Sequence, residues 1–167
     1  MFRKANLDDI NEIMKIIVQA QDYLKLKEID QWQDGYPNRE VIEHDIKNDV
    51  SYIIEKDGKV IATAMLSFDK EKAYDKIYGG KWLSDSEFLV IHRVAVDNNY
   101  KGYGIASEII KEAEKLCDSR NIKSIKIDTH KENLSMQRLL EKNGFKYCGI
   151  IFLDDGSERI AFERLIK

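Results

Sequence analysis

The sequence has little of what would break a chain into pieces or staple it together. One residue in 167 is proline and two are cysteine. No stretch is rich in Pro, Gly or Ser, so nothing reads as a linker and a single domain over residues 1–167 is expected. Two thiols, Cys117 and Cys148, in a chain long enough to bury a sizeable core read as reduced packing residues, not as a disulfide framework. No apolar run is long enough to span a bilayer, and Met1-Phe2-Arg3-Lys4 does not open an export leader. The expectation is therefore no membrane partner and a cytoplasmic location. Positive charge is not in excess: 27 Lys and Arg against 30 Asp and Glu give a net charge of -3. That argues against the basic field a nucleic acid would need and is compatible with cationic amines. His44, His92, His130, Cys117 and Cys148 show no ligand spacing, so no metal site is expected.

What the chain does have is concentrated in residues 87–116. Phe88 to Val96 is β-branched and aromatic, interrupted only by His92 and Arg93, as suits a central strand covered on both faces. Asp97 to Tyr100 ends it. Gly102 and Gly104 permit a close turn, and Ile105, Ile109, Ala113 and Leu116 then recur at helical spacing. A strand, a glycine turn and a helix start together make an anion site, because the first helical turn has unpaired amides and the positive end of the dipole. Two familiar glycine loops do not fit. GxxxxGK[ST] is absent, and the third glycine of GxGxxG would be Ser107.

The remaining elements can be read on either side of this unit. Met1 to Ala5 predicts a short strand. Asn6 or Asp8 caps a helix with Ile10, Ile13, Met14, Ile17, Ala20 and Leu24 on one stripe, and Asn38 caps a second carrying Val41, Ile42 and Ile46. Asp57-Gly58 joins strands 51–55 and 59–68 in a hairpin. Residues 69–85, with Tyr74, Tyr78, Gly79-Gly80 and Trp82, read as an irregular insertion that either covers substrate or crosses the sheet. A strand over 124–129, a helix over 133–143 ended by Gly144, and a closing hairpin around Asp154-Asp155-Gly156 complete the chain. Strand, helix, strand, helix implies one parallel pair in the sheet.

Two of these segments carry a resemblance. Val94-Ala95-Val96 followed by Lys101-Gly102-Tyr103-Gly104-Ile105-Ala106 resembles motif A of the GNAT superfamily of acetyl-CoA-dependent N-acetyltransferases, [R/Q]-x-x-G-x-[G/A]. Lys101 stands where Arg or Gln is usual, and Asn98 where many members have Pro. Lysine keeps the charge, and backbone donors do most of the phosphate holding. Asn133 to Phe145 is similar to motif B, N-x-x-A-x-x-[LF]-Y-x-x-x-G-F, with Leu140 in the tyrosine slot.

The resemblance implies an α/β (α+β mixed) fold: a mixed, mostly antiparallel sheet with a splayed parallel strand pair, flanked by about four helices. It implies acetyl-CoA as co-substrate, without a metal, on Val94, Ala95, Val96, the loop Lys101, Gly102, Tyr103, Gly104, Ile105, Ala106 and Ser107, and Asn133. The pantetheine arm would use the slot between the splayed strands, and the region of the first two helices would shape the acceptor site. Glu28, Trp32 and Tyr36 are the candidates there, though Trp32 and Tyr36 could equally pin their loop to the core.

The chemistry sets two needs. An alkyl ammonium with a pKa of about 10 must lose a proton before it can attack, and the thioester oxygen becomes an oxyanion. His92, on the strand parity of Val94 and Val96, is the first candidate base or water organiser, and a satisfied core histidine is the other reading. Glu28 and Asp30 stand behind it. The expected function is acetyl transfer to a primary amine of a small molecule or peptide by direct attack in a ternary complex. The rival is a non-catalytic acyl-CoA-binding module, for which Leu140 is the feature. The sequence names no acceptor, and a homodimer is compatible with it.

Overall fold

A computed structural model describes residues 1–167. Seven strands hydrogen-bond in the order β1-β2-β3-β4-β5-β7-β6. They are β1 (Phe2–Lys4), β2 (Ser51–Lys56), β3 (Lys59–Ser67), β4 (Leu89–Val96), β5 (Ser124–Thr129), β6 (Lys146–Phe152) and β7 (Glu158–Leu165). The helices are α1 (Ile10–Leu26), α2 (Arg39–Lys47), α3 (Ile105–Ser119) and α4 (Leu134–Lys142). β4 and β5 are the parallel pair, in register Leu89↔Ile125 and Val90↔Lys126, and β1–β2, β2–β3, β5–β7 and β6–β7 are antiparallel. The mixed sheet and four helices are those expected from the sequence. Contacts group the residues into two compact units, Met1–Leu66 with His92–Ile109, and Ser67–Ile91 with Ile110–Lys167.

In the first unit, local chemistry starts each helix. Asn6 Oδ1 accepts from the Asp8 amide at 2.9 Å while Asp9 Oδ2 accepts from the Asn6 amide at 2.8 Å, a reciprocal cap that leads through a 3-10 turn into α1. Asn38 Oδ1 caps α2 from the Val41 amide at 2.9 Å. Asp57 and Gly58 both take positive φ, the condition for the tight turn between β2 and β3. Ile10, Ile13, Ile16 and Ile17 of α1 pack with Ile42 and Ile46 of α2, Ile53 of β2 and Ala95 of β4. Ile16 belongs to this stripe although the sequence reading passed over it, and Met14 and Ala20 lie at its margin. Buried apolar area of this kind stabilises at about 25 cal/mol per Å².

Asp9 has a second role. Arg3 donates to both of its oxygens at 2.8 and 2.9 Å and to Glu55 Oε2 at 2.7 Å. The Arg3 hydrogen bonds hold the Asp9 carboxyl below its ordinary pKa of 3.8. A depressed carboxylate contributes stability above its unfolded-state pKa and loses it as pH falls through the folded one. Asp9→Asn should therefore flatten the acid limb of stability below about pH 4 while changing its shape little above, a difference readable by urea unfolding at stepped pH.

In the second unit β5 pairs with β7 along all of its length, from Ser124↔Leu165 to Thr129↔Ile160. The insertion expected to be irregular is so, with a 3-10 turn at Lys72–Tyr74, but it is tied down. Tyr78 and Ile150 exchange two backbone hydrogen bonds at 2.8 Å, which gives the outer strand β6 a partner on its open side. Gly149 permits the approach: a Cβ there would lie 2.6 Å from the Tyr78 carbonyl oxygen. Leu140 of α4 is 0% exposed and packs. Cys117 and Cys148 are buried free thiols, as expected, and burial pushes Cys117 up to about 11, which keeps it unreactive.

A buried carboxylate also ties the insertion to the sheet. Glu163 of β7 is 0% exposed and accepts from the Leu83 amide at 2.7 Å, the Ser84 hydroxyl at 2.5 Å and the Ser124 hydroxyl at 2.7 Å. Opposite it on β5, the Lys126 ammonium lies 4.3 Å from the Trp82 ring centre and 4.2 Å from that of Phe88. Burial lowers the Lys126 pKa, and the Glu163 charge opposes the shift. Glu163→Ala leaves three donors and a buried ammonium without their carboxylate and should cost about 3 kcal/mol or more. A loss under about 1 kcal/mol in urea unfolding would show that Glu163 does not anchor the insertion.

Candidate functional site

The glycine turn follows β4 within the first unit. Asp97 leaves the strand through its amide to the Ile61 carbonyl at 2.8 Å, and its Oδ1 accepts from the Asn99 amide at 2.8 Å. Gln19 of α1 supports the turn by accepting from the Asn98 amide at 2.8 Å. Gly102 and Gly104 have φ of 84° and 78°, values that cost little only without a Cβ. α3 begins immediately after, and its first hydrogen bond runs from the Glu108 amide to the Gly104 carbonyl at 3.0 Å. The amides of the first turn therefore lie ahead of the helix's own carbonyls, at the positive end of its dipole. Lys101, Gly102, Tyr103 and Gly104 are exposed, and Ile105, Ala106 and Ser107 half-buried. The Lys101 ammonium lies 4.4 Å from the centre of the Tyr23 ring, which holds the cation at the loop by cation–π attraction.

The strand leading into this loop holds a feature that the sequence reading missed. Arg93 has φ of 53°, the left-handed region, inside β4. Strict alternation therefore does not carry from Val94 back to His92, and the parity argument for His92 is corrected: a left-handed residue turns the backbone between them. His92 is half-buried beside this turn. Arg93 is fastened by its side chain. Its Nε and Nη2 donate to Asp45 Oδ2 and Oδ1, both at 2.7 Å, and its Nη1 donates to the Tyr36 hydroxyl at 2.6 Å. Burial works against the guanidinium charge, but the hydrogen bonds and charge of Asp45 and Tyr36 outweigh it and raise the Arg93 pKa above its ordinary value. The signals were present in the sequence, an arginine within an apolar strand and an aspartate beside Ile42 and Ile46. Neither says alone that they meet.

The other candidates fall in different places. Trp32 is half-buried and packs against the core cluster of α1 and α2. Tyr36 is 43% exposed, and Gln21 holds its backbone carbonyl at 3.0 Å. Glu28 and Asp30 are exposed on the same loop. All of these, with His92, Val94, Ala95, Val96 and the loop to Ser107, lie in the first unit, and Asn133 lies in the second. Asn133 caps α4 by accepting from the Met136 amide at 3.1 Å.

The model of the acetyltransferase (GNAT) family matches residues 17–145. The chain belongs to the GNAT family. A GNAT-family acetyltransferase from Streptococcus agalactiae superposes with a TM-score of 0.90 at 35% identity, over 100% of this chain and 95% of that one. The PaiA N-acetyltransferase of Thermoplasma acidophilum, solved in complex with coenzyme A, shares the fold with a TM-score of 0.73 at 16% identity, over 99% and 98%. Among curated proteins, the S-alkylcysteine N-acetyltransferase of Bacillus subtilis is 24% identical over 114 residues, which are 68% of this chain and 58% of that relative's own length. Motifs A and B thus stand in a GNAT fold. No helix is long and apolar enough to cross a membrane.

Acetyl-CoA at about a hundred times its dissociation constant should stabilise the protein by roughly 2.7 kcal/mol if this GNAT loop binds it. Gly104→Val should abolish that thermal shift. No atom lies within 4 Å of the added Cβ, so the effect is conformational: a β-branched residue strains at φ of 78°. An unchanged shift in a folded variant would contradict the loop geometry.

Proposed function

We propose that the protein is an N-acetyltransferase that moves the acetyl group of acetyl-CoA to a primary amine of a small molecule or peptide by direct attack in a ternary complex. The observation that carries this reading is the pair of left-handed glycines opening α3 in a GNAT-family chain. The coenzyme A complex of the Thermoplasma relative supports the choice of donor. The pyrophosphate would take the amides of residues 102–107 with the Lys101 charge beside them, and the Val94–Val96 backbone would face the thioester. Asn133 would meet the pantetheine arm. His92, or failing it Glu28 or Asp30, would accept the ammonium proton directly or through water. The acid-bearing loop 28–36 suits a cationic acceptor, and the named substrate of the Bacillus relative makes amino-acid amines the first class to try.

The buried Leu140 favours a second reading, in which the chain binds acyl-CoA without turnover, because leucine has no proton to give a departing thiolate. Thiol release from acetyl-CoA, measured against a panel of S-alkylcysteines, other amino acids, alkyl polyamines and peptide N-termini, separates the two. Release that depends on one class of amine is expected. Thermal stabilisation by acetyl-CoA with no release from any amine would establish the binding module instead.

A further inference from the structure

The turn before α3 is held from one side by α1. Gln19 and Tyr23 lie one helical turn apart on α1 and so share a face. Gln19 accepts from the Asn98 amide at 2.8 Å, which fixes the backbone just past the end of β4. Tyr23, half-buried, turns its ring to the Lys101 ammonium, 4.4 Å from the ring centre. One turn of α1, outside motif A, thus holds both the backbone of the loop and its cation.

The kind of hold matters. A carboxylate beside Lys101 would fix the ammonium but also neutralise it, and it would compete with any anion that approached. A ring attracts the cation through its quadrupole and adds no formal charge. Lys101 is exposed, is held by the ring, and has no ion pair competing for it. Lys126 of the second unit is the contrast: two rings flank its ammonium, but the buried Glu163 faces it across β5 and β7.

Lysine also needs such a hold more than arginine does. Its charge sits on a flexible four-carbon stem, whereas the arginine fork is preorganised. Lys101 stands where motif A usually has arginine or glutamine. An anion that meets a free lysine must first order the stem, and a contact that orders it beforehand lowers that entropic cost.

We propose that Tyr23 is a positioning residue for cofactor binding: its ring holds Lys101 at the loop as an uncompensated cation for the pyrophosphate, so affinity for acetyl-CoA depends on a side chain of α1. This rests on the acetyl-CoA reading above.

The test is the Kd for acetyl-CoA by titration calorimetry at low ionic strength, where exposed charges are least screened. Tyr23→Leu should raise the Kd about three- to fivefold, the scale of a cation–π contact at an accessible site. Lys101→Met should raise it at least as much, and Tyr23→Phe, which keeps a ring face, should leave it at the wild-type value. In a Lys101→Met background, Tyr23→Leu should change the Kd no further. That cycle separates a hold on the cation from simple packing of the loop, whose effect would persist without Lys101. Tyr23→Met takes the place of Tyr23→Leu if the leucine variant does not fold. An unchanged or lowered Kd in Tyr23→Leu overturns the proposal, and so does an equal rise in the Lys101→Met background. Either result, with binding by the wild type, leaves the acetyl-CoA reading intact. No binding of acetyl-CoA by the wild-type protein overturns both.

Discussion

The ion pair between Arg93 and Asp45 is the constraint on which the first unit depends. A left-handed residue other than glycine costs about 1–2 kcal/mol, and here it sits inside β4, where a regular strand would be cheaper. Removing one partner of such a buried pair costs about 3–5 kcal/mol because it strands the other's charge, so Arg93 and Asp45 are kept or lost together. Asp45 in turn is fixed by α2, whose Ile42 and Ile46 lie in the core with α1. Strain in the strand, the burial of an acid in a helix face and the placement of Tyr36 are thus one arrangement.

The second unit solves a different problem with similar means. An irregular insertion brings polar backbone to the sheet, and each group there needs a partner. Glu163 serves the Leu83 amide and two hydroxyls at once, and Lys126 balances its charge between two aromatic faces. The aromatics of the insertion are engaged with its own backbone and with β5: Trp82 donates to the Tyr74 carbonyl at 2.9 Å, and Tyr74 to Asp128.

The candidate site rests on a small departure from regular structure: the turn before α3 has two glycines at positive φ and leads straight into a helix start. No single side chain identifies such a site, which is why the motif carries information only together with its place after a central strand. Leu140 illustrates the converse. The residue in the slot where motif B carries a tyrosine is here fully buried and apolar, and it packs in the core.

The order and type of the elements were legible because they follow from local rules. Asn6 and Asn38 cap helices through their own side chains, Asp57-Gly58 makes a turn that few other pairs can, and isoleucines three and four apart must share a helix face. The glycine loop was legible for the same reason, since its conformation is set by residues 102 and 104. The partners of Arg93, Glu163 and Lys126 were not. Each meets groups dozens of residues away, and a charged side chain in an apolar strand shows only that some partner is required. Arg93 also breaks the alternation that had placed His92 with Val94, through a φ of 53° that its residue type does not announce. The sequence alone therefore determined the elements and the glycine turn before α3, whose causes lie within a few residues. Tertiary structure decided which acid meets which base and which tyrosine lies beside a cation, because pairings between distant segments exist only once the helices and strands have packed.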